Sequence, residues 1–276
     1  MERPCLYIVA TPIGNLQDLS PRGVETLREA DFIAAEDTRV TQKLLTHFGI
    51  SKPMVSYYAH NLRAKGDEIM ARLEQGQVCA LVSDAGTPAV SDPGEVLVSA
   101  CRAAGIPVHP VPGCCAAVSA LSVSGLPTGR FCFEGFLPVQ KAERRARLEA
   151  LSGETRTMIF YEAPHKLKNT LNDLARAFGE DRRVFLGREL TKLHEEGIRT
   201  TLGEAVARYE ETEPRGEFVL CLEGAAPEKA PVLTAEEAAE GLSADASLRD
   251  NTEKARKQGL SRNEAYRAAL LAKGKK

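Results

Sequence analysis

The sequence lacks the glycine spacing of the commonest nucleotide-binding loops. Its 22 glycines include no two in the arrangement G-x-G. This absence excludes the usual phosphate loop of dinucleotide-binding folds and the glycine loop of the commonest methyltransferase fold. The motifs G-x-x-x-x-G-K-[ST], G-x-S-x-G and H-E-x-x-H are also absent. If the protein binds a small ligand, its loop is of another kind.

Cysteine pairs with metal-ligand spacing are absent as well. The seven cysteines form an odd set without a C-x-x-C pair, so we expect buried side chains in a reducing compartment and no metal site. No apolar run approaches the length of a membrane span. The first apolar run, at 6–10, is too short for the core of a signal peptide. We therefore predict a cytoplasmic protein that does not bind membranes.

The sequence has no excess of either charge. Its 36 Lys and Arg residues face 38 Asp and Glu residues, which gives a formal net charge of −2. This balance excludes nucleic-acid binding through overall charge, so any such binding requires local patches. With 276 residues and 43% hydrophobic residues, the chain is long and apolar enough for one large or two modest globular domains.

The first half alternates predicted strands with predicted helices. Apolar runs at 6–10, 32–35, 53–58, 78–82 and 108–111 predict strands, and amphipathic segments between them predict helices. Ser20-Pro21 is typical of a helix start, and Asp92-Pro93 predicts the start of another. Short strands that alternate regularly with helices predict a mostly parallel sheet in an N-terminal α/β domain, residues 1–125.

A second α/β domain is predicted over residues 126–224. Its strands are expected at 131–133, 157–161, 184–187 and 218–222, and the segment 191–202 is compatible with an antiparallel pair. The composition then changes, and 225–247 has the character of a linker. Residues 248–276 carry nine Lys and Arg against three acids, which predicts a basic helical tail.

Three loops rich in Gly and Pro follow predicted strands, at 11–16, 83–88 and 111–115. Ligands of open α/β sheets bind beyond the carboxyl ends of the strands. Gly and Pro permit close backbone approach and stiff turns, and Asp84 supplies a carboxylate able to accept two ribose hydroxyls. Each loop taken alone is more typical of a tight turn between strand and helix than of a ligand site.

Taken together, long strings of the sequence resemble one family. The strings include LYIVATPIGNLQDLSPR (6–22), IAAEDTR (33–39), LVSDAGTPAVSDPG (81–94), VPGCCAAVSALSVSGLP (111–127), IFYEAPHKL (159–167), RELTKLHEE (188–196) and GEFVL (216–220). In order and spacing they resemble the tetrapyrrole methylase superfamily, and within it the ribosomal RNA small subunit methyltransferase I family. The resemblance covers residues 6 to about 223.

The resemblance implies a fold and a reaction. The fold would be two α/β domains of the tetrapyrrole methylase type with the cofactor cleft between them, plus a small helical C-terminal segment. The reaction would be 2′-O-methylation of a cytidine in 16S ribosomal RNA, free or in the 30S subunit, by an S-adenosylmethionine-dependent homodimer. Two alternatives stay open: a tetrapyrrole (precorrin-type) methyltransferase, and a non-catalytic RNA-binding assembly factor. The first loop, ATPIGNLQD, departs from the tetrapyrrole branch and argues against the former.

The resemblance and the loop chemistry together predict a cofactor site. Backbone N–H groups of 84–88 or 113–117 suit the carboxylate of S-adenosylmethionine, and an apolar slot edged by Phe160 and Leu190 would take its adenine. The predicted cofactor-binding residues are Pro12, Ile13, Gly14, Asp84, Ala85, Gly86, Thr87, Pro88, Pro112, Gly113, Phe160 and Leu190.

A ribose hydroxyl needs help to lose its proton, so the reaction implied by the resemblance requires a general base. The candidates are Glu36, Asp37 and His60, with Arg39 as a phosphate-binding or orienting group. Glu36-Asp37 is equally typical of a helix N-cap, and a lone histidine is more often structural.

Two basic segments are candidates for RNA contact. Lys141, Arg144 and Arg145 lie on one predicted helix face, and Arg262 and Arg267 lie in the C-terminal tail. A solvated charged tail is the alternative interpretation of the second segment.

Overall fold

The computed structural model describes residues 1–226 and 233–274. The chain divides into two compact units, Met1–Ala225 and Ala226–Lys276, and each is described by itself. Within the described ranges, no helix combines the length and the apolar character needed to cross a membrane.

A parallel sheet forms the first half of the larger unit. Its strands are β1 (Cys5–Val9), β2 (Phe32–Ala35), β3 (Met54–Ser56), β4 (Val78–Val82) and β5 (Val108–Val111). They lie in the order β3-β2-β4-β1-β5, and each pairing is parallel. The intervening helices are α1 (Pro21–Glu29), α2 (Thr38–His47), α3 (Leu62–Glu74) and α4 (Glu95–Ala103). The prediction of a parallel α/β sheet is confirmed.

Both faces of this sheet are covered by helices. Successive side chains of a strand point to opposite faces, so Phe32 and Ala34 of β2 join one apolar cluster while Ile33 and Ala35 join the other. Every residue of β2 and β4 is buried, as expected for central strands of a parallel sheet.

The start of α4 differs from the prediction. The helix begins at Glu95 instead of at Asp92-Pro93. The chain makes an extra turn first, in which Ala89 and Ser91 adopt φ values of 67° and 62° and Gly94 a φ of 150°. Asp92 therefore lies in a loop, where its carboxylate is available to a site.

A mixed sheet forms the second half of the larger unit. Its strands are β6 (Phe131–Gly135), β7 (Thr157–Glu162), β8 (Arg183–Arg188), β9 (Glu196–Thr201) and β10 (Phe218–Leu222), in the order β6-β7-β10-β8-β9. The β6–β7 pairing is parallel and the other three are antiparallel. Its helices are α5 (Ala116–Ser124), α6 (Lys141–Ala150), α7 (Pro164–Phe178) and α8 (Leu202–Glu211). The segment 191–202 thus contributes one strand, β9, which pairs with β8.

The helix α5 packs on the second sheet, although the predicted domain boundary places it in the first domain. Ala117, Ala120 and Leu121 are buried against Ile159 of β7 and Phe185 of β8, among others. The small alanines let the helix lie close to the strands. By packing, α5 therefore belongs with the second sheet.

The second unit is a small helical body. It contains α9 (Ala235–Glu240), α10 (Leu248–Lys257) and α11 (Arg262–Ala272), which share an apolar cluster rich in alanine. The predicted linker, 225–247, therefore contains a helix, because Thr234 caps α9 and Ala238 is buried. Residues 227–232 of that linker and 275–276 of the tail lie outside the described residues.

Phe160 provides a test of the core of the second sheet. Its side chain is fully buried among the residues that α7 and α8 cover. Phe160→Ala is expected to lower the free energy of unfolding by about 3–5 kcal/mol, because the truncation leaves a cavity. Phe131→Ala removes a partly exposed ring and should cost less than about 1 kcal/mol. Urea denaturation of both variants measures the difference, and equal costs would contradict the placement of Phe160.

Candidate active site

Backbone hydrogen bonds join the predicted ligand loops at the carboxyl edge of the first sheet. Thr11 N–H donates to the carbonyl of Gly86 (2.8 Å), and Gly86 N–H donates to that of Thr11 (3.1 Å). The Thr11 hydroxyl donates to the carbonyl of Ser83 (3.1 Å), and the Thr87 hydroxyl to that of Cys114 (2.9 Å). The three predicted loops therefore form one continuous surface.

A cavity of about 380 Å³ lies between this surface and the second sheet. Its volume is within the range of about 300–1,000 Å³ of small-molecule sites. Ile13, Leu190 and Val219 give it apolar walls, and Thr87 and Asp92 give it polar ones. Its other lining residues are Ala85, Gly86, Val90, Ser91, Cys115, Ala116, Phe136, Tyr161, Glu162, Ala163, Pro164, Gly187, Lys192, Glu217 and Phe218.

Tyr161 is the central aromatic group of the cavity wall. Its hydroxyl oxygen accepts a hydrogen bond from the N–H of Ala117 (3.1 Å), in the first turn of α5. The rings of Phe133 and Phe136 meet it edge to face, at centroid distances of 5.0 and 5.7 Å. Burial raises the pKa of Tyr161 to about 12, so the hydroxyl keeps its proton and remains a donor.

Lys192 connects the loop at 11–16 with the second sheet. Its Nζ donates to Glu189 (2.8 Å) and Glu217 (2.9 Å). The stem of Lys192 lies against Gly14, where a Cβ would stand 2.4 Å from Cγ. A Cβ on Gly216 would stand 2.4 Å from the Glu189 side chain. Glycine is thus required at both positions, because a Cβ would collide with Lys192 at position 14 and with Glu189 at position 216.

Backbone strain concentrates beside the cavity. Among the described residues, the non-glycine positions with positive φ are Ala89, Ser91, Glu189 and Thr191. They lie in the two loops that supply Ser91, Leu190 and Lys192 to the cavity wall. Such conformations cost about 1–3 kcal/mol each and persist where the surroundings fix them, often at ligand sites.

A cluster of carboxylates stands at the ends of β2 and β4. Asp37 N–H donates to Asp84 Oδ1 (3.0 Å), and Asp84 N–H donates to Glu36 Oε2 (3.4 Å). Burial raises the pKa values of Glu36, Asp84 and Asp92. Hydrogen bonds from the Arg39 side chain lower the pKa of Asp37 to about 2. Asp37 therefore stays ionised and weakly basic, while the other three carboxylates hold protons more readily than usual.

The structure brings together three of the four residues predicted to be catalytic. Glu36, Asp37 and Arg39 share the carboxylate cluster, and Asp37 also caps α2, as the alternative interpretation expects. His60 is exposed after β3, with its ring 6.2 Å from that of Tyr58. In the described part of the chain, no hydrogen bond joins His60 to the cluster.

Comparison with known proteins identifies the family. Residues 5–206 match the family described as Tetrapyrrole (Corrin/Porphyrin) Methylases. The chain is 50% identical over 262 residues to "Ribosomal RNA small subunit methyltransferase I" of Synechocystis sp., which covers 95% of this chain and 90% of that one. The protein of the same name from Pseudomonas aeruginosa is 45% identical over the full length of both chains. The chain belongs to the ribosomal RNA small subunit methyltransferase I family.

Solved structures agree with this assignment at the level of the fold. The methyltransferase CobJ has a TM-score of 0.62 at 19% identity, covering 80% of this chain and 94% of that one. Uroporphyrin-III C-methyl transferase from Thermus thermophilus, solved with S-adenosylhomocysteine, has a TM-score of 0.57 at 18% identity, covering 79% and 96%. The predicted tetrapyrrole methylase fold is confirmed. Family membership also confirms the prediction of an S-adenosylmethionine-dependent methyltransferase.

The cavity suits this cofactor chemically. Apolar walls at Ile13, Leu190 and Val219 suit the adenine, and the acidic residue Asp92 in the wall suits a cationic ligand. Five predicted cofactor residues lie in the wall: Ile13, Ala85, Gly86, Thr87 and Leu190.

The other predicted cofactor residues have different environments. Pro12 and Pro88 are buried, and Gly14 packs against Lys192. Asp84 bonds to its acidic neighbours, and a Cβ on Gly113 would stand 3.0 Å from that of Ala10. Pro112 is exposed and does not contribute to the described cavity wall.

The structure does not place Phe160 in the cavity wall. Its side chain points into the core on the far face of the second sheet, and the next residue, Tyr161, lines the cavity. The period of two along β7 separates them. Sequence reasoning also missed Asp92 and Glu162 as residues of the cavity wall. For Glu162, the end of β7 was the available signal.

Leu190 provides a test of the cavity as the cofactor site. Leu190→Ala is expected to weaken binding of S-adenosylhomocysteine about tenfold, because it removes roughly 1.5 kcal/mol of apolar contact. Leu193→Ala is the matched control, since Leu193 belongs to the same loop but is 93% exposed. Calorimetric titration of both variants measures the effect. Equal affinities for Leu190→Ala and the unmodified protein would place the cofactor elsewhere.

Proposed function

We propose that the protein transfers a methyl group from S-adenosylmethionine to the ribose 2′-oxygen of a cytidine in 16S ribosomal RNA. The observation that carries the proposal is the 50% identity, over 95% of the chain, to an enzyme named ribosomal RNA small subunit methyltransferase I. The first loop, ATPIGNLQD, supports an RNA substrate over a tetrapyrrole. We further propose that the enzyme acts in the cytoplasm, as a homodimer, on the 30S subunit or its RNA.

The reaction requires alignment and a proton acceptor. The bound cofactor supplies a methyl group already activated by its sulfonium charge. The protein must hold the ribose hydroxyl in line with that group, and must accept its proton. The rigid loops joined by Thr11 and Gly86 support the first requirement.

Asp92 is the proposed proton acceptor. Asp92 lines the cavity, and burial raises its pKa toward the range that general bases need. Asp37 is unsuited to this role, because its pair with Arg39 keeps its pKa at about 2. Glu36 accepts the N–H of Asp84 and so holds the loop that carries the acceptor.

The pH dependence of methyl transfer tests the role of Asp92. A base with a raised pKa must lose its proton first, so the rate should rise with pH through an acid limb above the usual range of Asp. Asp92→Asn should lower kcat at least 100-fold and abolish that limb, within the range of about 10²–10⁴ for general bases. The pH–rate profile at saturating cofactor gives both quantities.

Asp37→Asn is the matched control for this experiment. Asparagine also serves as an N-cap, so α2 should keep its start. Because Asp37 is ionised across the measured range, its replacement should leave the acid limb in place. An unchanged limb in Asp92→Asn would exclude Asp92 as the base.

Methyl transfer to ribosomal particles tests the reaction itself. Cofactor labelled in its methyl group is incubated with 30S subunits that lack the modification, and the labelled nucleotide is mapped by nuclease digestion. We expect label on the 2′-oxygen of one cytidine. Label on a base, or no transfer by a protein that binds the cofactor, would contradict the proposed reaction.

A further inference from the structure

A broad groove opens between α6 and α7 on the second sheet. Its volume is about 1290 Å³. Five cationic side chains contribute to its walls, against the two carboxylates of Glu149 and Asp173. The cations are Lys141, Arg144, Arg145, Lys166 and Arg176. An excess of positive charge in a concave surface favours an anionic ligand.

Arg144 differs from the other four cations. It is only 15% exposed, and it donates to Asp173 (2.6 Å) and to the hydroxyl of Thr170 (2.7 Å). These bonds hold α6 against α7, so Arg144 is not one of the unpaired cations of the groove. The other four cations are exposed, and across residues 1–226 and 233–274 none of them forms an ion pair. Their charges are therefore available to a ligand.

Among the described residues, the groove and the cofactor cavity share no lining residue, but one hydrogen bond links their walls. Thr170, which lines the groove, donates to the carboxylate of Glu162, a residue of the cavity wall. The segment 136–140 separates the two spaces. Phe136 faces the cavity and is 57% exposed, while Val139 faces the groove and is 77% exposed. A chain that leaves the groove across this segment would pass the exposed ring of Phe136 at the cavity.

The combination of free cations and an exposed aromatic ring is typical of single-stranded nucleic-acid binding. Cationic side chains follow the phosphates, and a base splayed out of its stack lies on an aromatic face. We propose that the α6–α7 groove binds the RNA backbone next to the target nucleotide and that Phe136 stacks on that nucleotide's base. Phe136 acts here as a positioning residue. This inference rests on the proposed RNA substrate.

The salt dependence of RNA binding tests the proposal. Binding of the full-length protein, without cofactor, to 30S subunits lacking the modification is measured by filter binding over a range of KCl concentrations. Single alanine variants of Lys141, Arg145, Lys166 and Arg176 should each bind more weakly. Each should also reduce the slope of log K against log [KCl] by about 0.7–0.9, the share of one phosphate contact.

Phe136→Ala should behave differently, because stacking carries no charge. We expect binding to weaken about fivefold or more, the effect of losing one stacked base, with the slope unchanged. Phe131→Ala is the matched control, since this partly exposed ring lies at the other end of β6. Lys52→Ala, just before β3, is the control for charge. Both controls should bind as the unmodified protein does.

Two results would overturn the proposal. One is unchanged affinity and slope in the four groove variants. The other is a slope that changes only in Arg262→Ala, which would place the RNA on the C-terminal helices. Because binding is measured without methyl transfer, a protein that shows the expected slopes but places label on a base contradicts the proposed reaction and leaves the groove assignment supported.

Discussion

The reciprocal backbone pairing of Thr11 with Gly86 is the interaction on which the site depends. Parallel strands deliver all their carboxyl ends to one edge of a sheet, but they do not fix the loops that follow. The pairing, together with the bonds of Thr11 to Ser83 and of Thr87 to Cys114, turns separate loops into one wall. The loop that follows this wall holds Ala89 and Ser91 at positive φ values, which persist where the surroundings fix them.

Electrostatics divides the functional surface into two regions. The first is acidic, where Glu36, Asp84 and Asp92 accumulate beside the cofactor cavity and suit a cationic methyl donor. The second is the basic α6–α7 groove, where exposed cations suit a polyanion. The formal net charge of −2 does not reveal this separation into an acidic and a basic region. Local arrangement, not overall charge, would allow one protein to attract both of the proposed ligands.

Much of the fold follows from sequence pattern, since uninterrupted apolar runs such as 78–82 predict buried parallel strands. The loops at 11–16 and 83–88 are predicted too, because they are rich in Gly and Pro and follow predicted strands. Three features depend on tertiary contacts that no local pattern records. Phe160 and Tyr161 are similar aromatic neighbours, and only the phase of β7 in its sheet decides which one reaches the cavity. Because α4 starts only at Glu95, Asp92 lies in a loop and not in a helix. Because Arg144 donates to Asp173, its charge is paired, unlike those of the other groove cations.

The placement of α5 has a consequence for how the larger unit can move. The first sheet ends at Val111, and α5, from Ala116, already packs on the second sheet. The chain therefore crosses between the sheets once, through residues 112–115, and Cys115 at the end of this crossing lies in the cavity wall. A change in the angle between the two sheets must bend the backbone at this crossing. Because Cys115 belongs both to this crossing and to the cavity wall, a change in the angle between the two sheets also changes the shape of the cavity.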